Sequence, residues 1–413
     1  MSDRRRRVRV TEPFRDQGFL FGFHGDGLPA DHAARILDAV IGKLDLSEFT
    51  SGAKAVEGTP GRPVLSPRMM LTLWLYAFSV GVGSAREIAR LVRTDAAFRW
   101  IVGDCQVSHQ ALSAFRVGHV EAVDELFTQV LSALMHKGLV CLALVAQDGT
   151  RVRASATAPS FRSAASLEEC REQAALHLKA VQAAAVAGEA SGAAVGAARD
   201  IARRVDEALE VVRQMRPRKN AKGQEIKPRA STTDPDARVM KMPDGGFRPG
   251  YNFQFAVAGD EHGGPRTIVG VNVTNSGSDM GSVAPMVEQI HERTGVRPGA
   301  VLADGGHAKL EDIRELDRRG IKALISVPER SKAAGANADH SPEIDEWRRR
   351  MQDPDCVQLY RARAGLVELV NAQFKEHFGI KNVLVRGTEK VRCVALLGAV
   401  AFNLLQHAGN LLS

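Results

Sequence analysis

The sequence lacks the cysteine pairs and the long apolar runs that mark several classes of protein. Its five cysteines in 413 residues are odd in number and scattered, and none forms a Cys-x-x-Cys pair. This pattern argues against a zinc site and a disulfide framework, and it favours a reducing cytosol. No run reaches the roughly 18 apolar residues of a membrane span. No apolar core follows the first arginines, so we expect no secretory signal, no membrane partner and a cytoplasmic location.

Positive charge is in excess, with a net charge of +7 and a pI near 9.3. Such a balance suggests a polyanionic partner, most simply nucleic acid. Residues 1–60 begin with the cluster Arg4–Arg7 and Arg9. This arm is either solvated and disordered or laid along phosphates, and the two interpretations are compatible. A short helix is predicted at about residues 30–43.

Residues 61–137 have a helical pattern. Ser66 before Pro67, Ser84 with Glu87 three residues on, and Ser108 each predict a helix start. The short helices fit a helix-turn-helix, whose second helix would enter a DNA groove. An ordinary helical bundle explains the pattern equally well. Under the first hypothesis the third helix supplies the candidate DNA contacts, which are Ser108, His109 and Arg116.

A buried strand is predicted at Leu139–Ala146, since eight apolar residues suit a strand covered on both faces. Asp148, Gly149 and Thr150 follow it at once. The Asp148 carboxylate either hydrogen-bonds the amides of a Gly149–Thr150 turn or serves as a metal ligand at the sheet edge. These residues alone favour the turn.

Residues 159–213 are rich in alanine, with charges at both ends and a break at Gly188 and Gly192, so we predict a helical hairpin inserted between strands. A basic loop follows at 213–229. It is either a solvated loop or a phosphate contact. The insertion as a whole spans about 159–230.

The remaining chain alternates strands and helices, as in an α/β protein. Strands at 251–258 and 267–274 are predicted to form a hairpin, and a strand at 300–303 leads into Asp304. We also predict helices at 280–294, 310–319, 346–350, 360–378 and 388–405, with a strand at 321–327. In a mixed sheet ordered 3-2-1-4-5 the first and fourth strands are neighbours, so Asp148 and Asp304 would converge.

Two converging carboxylates repel each other, and a divalent cation between them removes the repulsion. Oxygen ligands without nearby cysteine or histidine pairs favour Mg²⁺, or Mn²⁺ as a substitute, over zinc. Two-metal chemistry on phosphates requires a third carboxylate. Glu368, in the late helix 360–378, is the candidate.

This order of Asp, Asp and Glu resembles the DDE transposases of bacterial insertion sequences. More narrowly, it is similar to the branch with the signature Tyr-x2-Arg-x3-Glu-x6-Lys, matched by Tyr360, Arg363, Glu368 and Lys375. The resemblance spans most of the chain. It includes the segments SHQALSAFR, DGTRVRA, TTDPDARVMK, GYNFQFAV and ADGGHA.

The resemblance implies a ribonuclease-H-like catalytic domain over 138–413, preceded by an all-α DNA-binding domain over 61–137. It implies an enzyme that hydrolyses phosphodiester bonds at the element ends and joins the freed 3′ hydroxyls to target DNA. Asp148, Asp304 and Glu368 would hold two Mg²⁺ ions, while Tyr360, Arg363 and Lys375 position phosphates. The implied partners are double-stranded DNA, at terminal inverted repeats and target, and a second copy in a synaptic dimer. The enzyme would then be associated with the nucleoid when bound to DNA.

One spacing departs from the signature, because four residues rather than three separate Arg363 from Glu368. At about 100° per residue, Arg363 would lie far round a regular helix from Glu368, whereas Arg361 would nearly eclipse it. Either the helix begins or bulges between Arg363 and Glu368, or Arg361 takes the phosphate contact.

Other residues compete for these roles. Glu376 or Glu389 could be the third ligand, and Asp279 could replace Asp304, although its place before a helix favours an N-cap. His307 has no assigned role. Three further carboxylates lie in predicted loops: Asp234, Asp236 and Asp244.

Two other functions also compete. A catalytically inactive, sequence-specific DNA-binding relative is argued against by the intact acidic residues. A tyrosine recombinase acting through Tyr360 lacks a supporting Arg-His-Arg set.

Overall fold

The computed structural model describes residues 7–15, 28–219, 223–260, 264–328 and 339–412. The predicted arginines Arg4, Arg5 and Arg6 of the N-terminal arm lie outside these ranges, as does Lys222 of the basic loop. Among the described residues, helices and strands alternate in a mixed α/β architecture.

The N-terminal part consists of helices that begin where the sequence predicts. Ser66, Ser84 and Ser108 each accept a hydrogen bond from a backbone amide of the first turn, which satisfies a donor that the helix leaves free. The short strands β1 (Val10–Thr11) and β2 (Val64–Leu65) pair in parallel beside them. The helices are α1 (Ala33–Ile41), α2 (Pro67–Ser79), α3 (Ala85–Thr94), α4 (Ala96–Val102), α5 (His109–Gly118) and α6 (Val120–His136).

The central sheet has five principal strands and a short edge partner. They are β3 (Leu144–Arg153), β8 (Arg238–Lys241), β9 (Phe247–Ala258), β10 (Thr267–Thr274), β11 (Ala300–Ala303) and β12 (Lys322–Ile325). The hydrogen-bonded order is β10-β9-β3-β11-β12, with β8 paired to β9. The β9–β10 pair is the predicted antiparallel hairpin. β11 lies parallel to both β3 and β12, so the predicted contact between the first and fourth strands is observed.

The first long strand differs from its prediction. It starts at Leu144 rather than Leu139 and continues through Asp148 and Gly149 to Arg153. The predicted Gly149–Thr150 turn is therefore wrong. The cause is tertiary, because β9 offers a long partner that pairs antiparallel with residues 145–153. The apolar residues 139–143 connect α6 to the strand.

The insertion between β3 and β8 is the predicted helical hairpin with short strands at its base. Helices α7 (Ala164–Val186) and α8 (Gly192–Gln214) pack against each other, and Gly188 turns the chain between them with φ of 78°. The short strands are β4 (Phe161–Arg162), β5 (Arg218–Lys219), β6 (Glu225–Ile226) and β7 (Ala230–Ser231), paired β4 with β7 and β5 with β6.

The C-terminal third supplies helices on both sides of the sheet. They are α9 (Val283–Thr294), α10 (Leu310–Arg318), α11 (Pro342–Arg350), α12 (Pro354–Arg363), α13 (Leu369–Glu376), α14 (Thr388–Gln406) and α15 (Ala408–Leu412). A π-helical segment, Ala364–Glu368, joins α12 to α13.

Helix α14 joins the N-terminal helices to the sheet. It buries every residue from Cys393 to Leu404 and packs on α2, α6 and β10. One apolar core therefore runs from α1 through α14 into the sheet, and a smaller one lies under α9, α10 and α11. Within the described ranges, no helix is long and apolar enough to cross a membrane.

Candidate active site

The register of two parallel strands puts Asp148 and Asp304 at the same level of the sheet. Leu144, Val145 and Ala146 of β3 pair with residues 300–302 of β11. Continued by two residues, this register sets Asp304 opposite Asp148. The observed pairing stops at Ala146 and Leu302, so the strands part just before the two carboxylates. A crevice between parting parallel strands is a common place for a site in α/β proteins.

Asp148 is held by two donors. Its Oδ1 accepts from the Gly149 amide at 2.9 Å, and its Oδ2 accepts from Asn371 Nδ2 at 3.0 Å. Burial raises the pKa of the Asp148 carboxyl, and the negative charge of Asp304 adds to that rise. The two carboxylates therefore interact electrostatically, as predicted for a pair that a cation would bridge.

Gly149 serves a purpose other than a turn. A Cβ at this position would lie 2.1 Å from Asp279 Oδ1 and 2.4 Å from Gln254 Nε2. Only glycine permits so close an approach of a strand to these side chains. Asp148 is thus followed by the one residue type that lets the polar layer beneath it pack.

Asp279 belongs to that polar layer rather than to a helix cap. Its Oδ1 accepts from Asn252 and Gln254, each at 2.6 Å, and its Oδ2 pairs with Arg151 at 3.1 Å. The N-cap of α9 is Ser282. The predicted N-cap role of Asp279 is therefore wrong, and its oxygens are engaged by three donors.

Asp304 is held by its own turn and by a buried histidine. Its Oδ1 accepts from the Gly306 amide at 2.9 Å and lies 2.8 Å from Nδ1 of His307, which is fully buried. The other ring nitrogen of His307 lies 3.4 Å from Gln254 Oε1. The hydrogen bond from His307 lowers the pKa of Asp304, which keeps this carboxylate ionised. The sequence offered only the three-residue spacing as a sign of this contact.

The π-helical segment resolves the spacing around Glu368. A π-turn accommodates one extra residue within a helix, so the helix beyond the turn keeps the orientation it would have without that residue. Arg363 accordingly pairs with Glu368, with 2.5 Å between Nη2 and Oε1. Of the alternatives for this spacing, the bulge between Arg363 and Glu368 is the one observed. Arg361 is exposed and donates to Gln358 at 3.1 Å.

Arg363 brings positive charge to all three carboxylates. Its side chain is 17% exposed. Its positive charge limits the rise in the pKa of Asp148 and helps to lower the pKa of Asp304. It lies over the Tyr360 ring, 5.9 Å from the centroid. Three signature residues thus lie close together.

Lys375 completes the signature on the same cleft as Asp148. This cleft, of about 330 Å³, is lined by Asp148, Gly149, Thr150, Glu368, Asn371, Ala372, Lys375 and Glu376. Burial lowers the pKa of Lys375, while the nearby Asp148 charge partly restores it. A cation beside a carboxylate cleft can bind a phosphate that enters it.

The competing carboxylates have other partners. Glu376 lines the cleft and pairs with Lys381 at 3.0 Å, and Glu389 pairs with Arg392 in the first turn of α14. Asp234 and Asp236 accept from the amides of Gly387 and Thr388, at the start of α14. Asp244 pairs with Arg248.

The donor chemistry of the site fits a hard divalent cation. Asp148, Asp304 and Glu368 offer only oxygens, which Mg²⁺ and Mn²⁺ prefer. In the described part of the chain, no three His, Cys, Asp or Glu side chains are clustered closely enough to hold a metal ion. Glu368 is instead paired with Arg363, so it must exchange that partner to become a ligand.

The predicted DNA contacts on α5 separate into two groups. Ser108 is exposed and His109 half-buried at the start of the helix. Arg116 is 5% exposed: its guanidinium lies 4.2 Å over the Trp74 ring and donates to the Gly83 carbonyl. Burial lowers its pKa to about 10. The Arg116 side chain thus joins helices within the core, and its DNA contact stays a prediction.

Two family comparisons cover much of the chain. Residues 24–117 match a transposase domain, DUF772, and residues 227–404 match the transposase DDE domain. The second match includes Asp304 and Glu368, and Asp148 lies between the two. Neither a curated protein nor a solved structure matches the chain. Together, the two matches show that the chain belongs to the DDE transposases of insertion sequences.

Proposed function

We propose that this protein cuts and joins DNA at the ends of its insertion sequence, using a ribonuclease-H-like core with Asp148, Asp304 and Glu368 as cation ligands. The observation that carries the proposal is the π-helical segment. It sets Arg363 and Glu368 on one side of the helix despite the additional residue between them. That arrangement preserves the relation that the family signature encodes.

The three acidic residues are held in different ways before any metal ion binds. Asp148 is fixed by Gly149 and Asn371, and Asp304 by Gly306 and His307. Two of the three ligands are therefore preorganised. Glu368 is paired with the Arg363 guanidinium, so it is the one of the three that must change partner when a metal ion binds.

Bound Mg²⁺ or Mn²⁺, two ions in the family mechanism, would activate water for hydrolysis and stabilise the leaving oxygen. Arg363 and Lys375 would hold the phosphates on either side of the scissile bond, with Tyr360 supporting Arg363. The exposed start of α5, with Ser108 and His109, would contact the inverted repeat. The freed 3′ hydroxyl would then attack target DNA within a paired complex of two protomers.

The test is cleavage of duplex DNA that carries one element end, in Mg²⁺ or Mn²⁺. We expect Asp148→Ala, Asp304→Ala and Glu368→Gln each to reduce the rate by at least about 10⁴-fold, as loss of one member of a cooperating catalytic set does. Glu376→Gln is the matched control, since Glu376 lines the same cleft and pairs with Lys381. Its rate should stay within a few-fold of wild type.

Three results would overturn this assignment. Cleavage that survives in all three variants would exclude the proposed site. Loss of cleavage in Glu376→Gln together with normal cleavage in Glu368→Gln would transfer the third ligand to Glu376. A wild-type protein that binds the end specifically but never cleaves it would be a DNA-binding relative without catalytic activity.

A further inference from the structure

Helix α13 presents an amide side chain to the Asp148 carboxylate. Asn371 is 7% exposed, and its Nδ2 donates to Asp148 Oδ2 at 3.0 Å. It lies three residues after Glu368 and four before Lys375. At about 100° per residue, these spacings place all three on one face of the helix.

The other end of this amide has no partner. Asn371 Oδ1 is buried and, among the described residues, accepts no hydrogen bond. An unsatisfied buried acceptor destabilises the folded state, so each such group in a folded protein calls for a function or for a partner that binds there. Asn371 lines the cleft that also contains Asp148 and Glu368.

The orientation of the amide follows from the charge beside it. Reversing the group would place Oδ1 against the Asp148 carboxylate, oxygen against oxygen. The donor must therefore face Asp148, which leaves Oδ1 of this cleft-lining residue without a partner among the described residues.

We propose that Asn371 is a further ligand of the divalent cation, through Oδ1, while its Nδ2 fixes Asp148. This inference rests on the proposed cation site of Asp148, Asp304 and Glu368. An asparagine carbonyl is a suitable oxygen ligand for a hard cation. Being neutral, it adds an oxygen to the cleft without adding a negative charge beside Asp148 and Asp304.

The two roles of Asn371 are separated by two substitutions. Asn371→Leu has a similar size and removes both donor and acceptor. Asn371→Asp keeps an oxygen for the cation and loses the donor to Asp148. If Asn371 is a ligand, the aspartate variant retains cation binding. If it only positions Asp148, the aspartate variant binds as poorly as the leucine variant, because two carboxylates then repel.

The measurement is binding of Mn²⁺ alone to the full chain without DNA, by calorimetry or by the spin resonance of free Mn²⁺. We expect Asn371→Leu to weaken binding by about tenfold or more, in the range seen when groups around a metal are removed. Asn371→Asp should bind at least as tightly as wild type, since affinity rises with ligand charge. Gln373→Met is the matched control, an amide removed from the same helix but away from the cleft, and it should bind as wild type does.

Thermal unfolding of each variant checks that it folds, and Asn371→Ser, which is too short to reach Asp148, replaces the leucine variant if that one does not fold. Wild-type affinity in Asn371→Leu, or weak binding in Asn371→Asp, overturns the inference. Asp148→Asn shows whether the Asn371 inference fails alone or together with the proposed cation site. If it weakens Mn²⁺ binding while Asn371→Leu does not, only the inference fails. If it leaves binding unchanged, the proposed cation site fails as well.

Discussion

The two aspartates of the site have opposite electrostatic environments. Burial and the charge of Asp304 raise the pKa of Asp148, whereas the His307 hydrogen bond lowers the pKa of Asp304. A carboxyl with a raised pKa destabilises the folded state when it ionises. One with a lowered pKa stabilises it. Without a cation, Asp148 is therefore held at a cost to stability, as functional groups often are.

We predict that neutralising the two residues has opposite effects on stability. At pH 7 without metal, Asp148→Asn should raise the free energy of unfolding by on the order of 1 kcal/mol, as removal of a functional strain does. Asp304→Asn should lower it by less than about 1 kcal/mol, because this side chain is 45% exposed and water screens it. Urea denaturation measures both.

The pH dependence follows from the signs of the shifts. Above the ordinary aspartate pKa of 3.8, wild type carries the penalty of Asp148 and the benefit of Asp304. The advantage of Asp148→Asn should shrink as the pH falls through the raised pKa of Asp148 toward 3.8, and it should be absent below 3.8, where Asp148 is protonated in both states. The benefit of Asp304 should disappear only as the pH falls through its lowered pKa. An advantage of Asp148→Asn that grows with acid would contradict the assigned direction.

Among the elements, the helix that runs from α12 to α13 accommodates one more residue than a regular helix would. The π-helical segment confines that residue between Arg363 and Glu368 and leaves both flanks in place. Gly365 lies within it, and a side chain there would meet nothing within 4 Å. Its carbonyl accepts from Arg266 at 2.5 Å.

Deletion of Gly365 should therefore be tolerated. The segment would become a regular helical turn, and Arg363 would stand four residues before the glutamate, still on the same face. We expect the melting temperature and the cleavage rate to remain close to wild type. Deletion of Ala372 is the control, since it rotates Phe374 and Lys375 by about 100° relative to Glu368. Phe374 is 1% exposed, and its displacement should cost about 3–5 kcal/mol. Equal damage from both deletions would contradict this account.

The sequence predicted elements best where local rules decide. The capping serines correctly predicted the starts of α2, α3 and α5. The extra residue before Glu368 made a bulge one of the predicted alternatives, and the π-helical segment is that bulge. Sequence patterns did not suffice where tertiary partners decide. The pairing with β9 extends β3 through Gly149, and the contact with Trp74 holds Arg116 in the core. The contacts of Asn371 with Asp148 and of His307 with Gln254 could not be foreseen, because these side chains are distant from each other in the chain.

At the scale of the whole molecule, the N-terminal helices and the sheet share one apolar core. α14 lies between them, with its buried face divided among α2, α6 and β10. The α7–α8 hairpin, by contrast, packs on a small separate cluster of its own. The N-terminal helices and the sheet are thus joined by a shared core, although the two family matches divide there. The α7–α8 insertion has its own small core.

We predict that residues 138–413 alone do not fold stably. Without α2 and α6, α14 would expose a continuous apolar surface, which promotes association. The fragment should bind a hydrophobic dye and show no cooperative thermal transition. A full chain with the α7–α8 hairpin replaced by a short Gly-Ser linker is the control and should unfold cooperatively. A monomeric fragment with a sharp transition would show that the catalytic part folds independently.

The parting of β3 and β11 has a geometric consequence. Their ladder holds for residues 144–146 and stops two positions before Asp148. The two strands therefore separate at a point, Ala146 and Leu302, where backbone pairing holds them together. Because the pairing ends before both acidic residues, the course of the two strands beyond it helps to set the gap between the two carboxylates. A substitution at this point, such as one at Ala146, can thus tune the aperture available to an ion without touching a ligand.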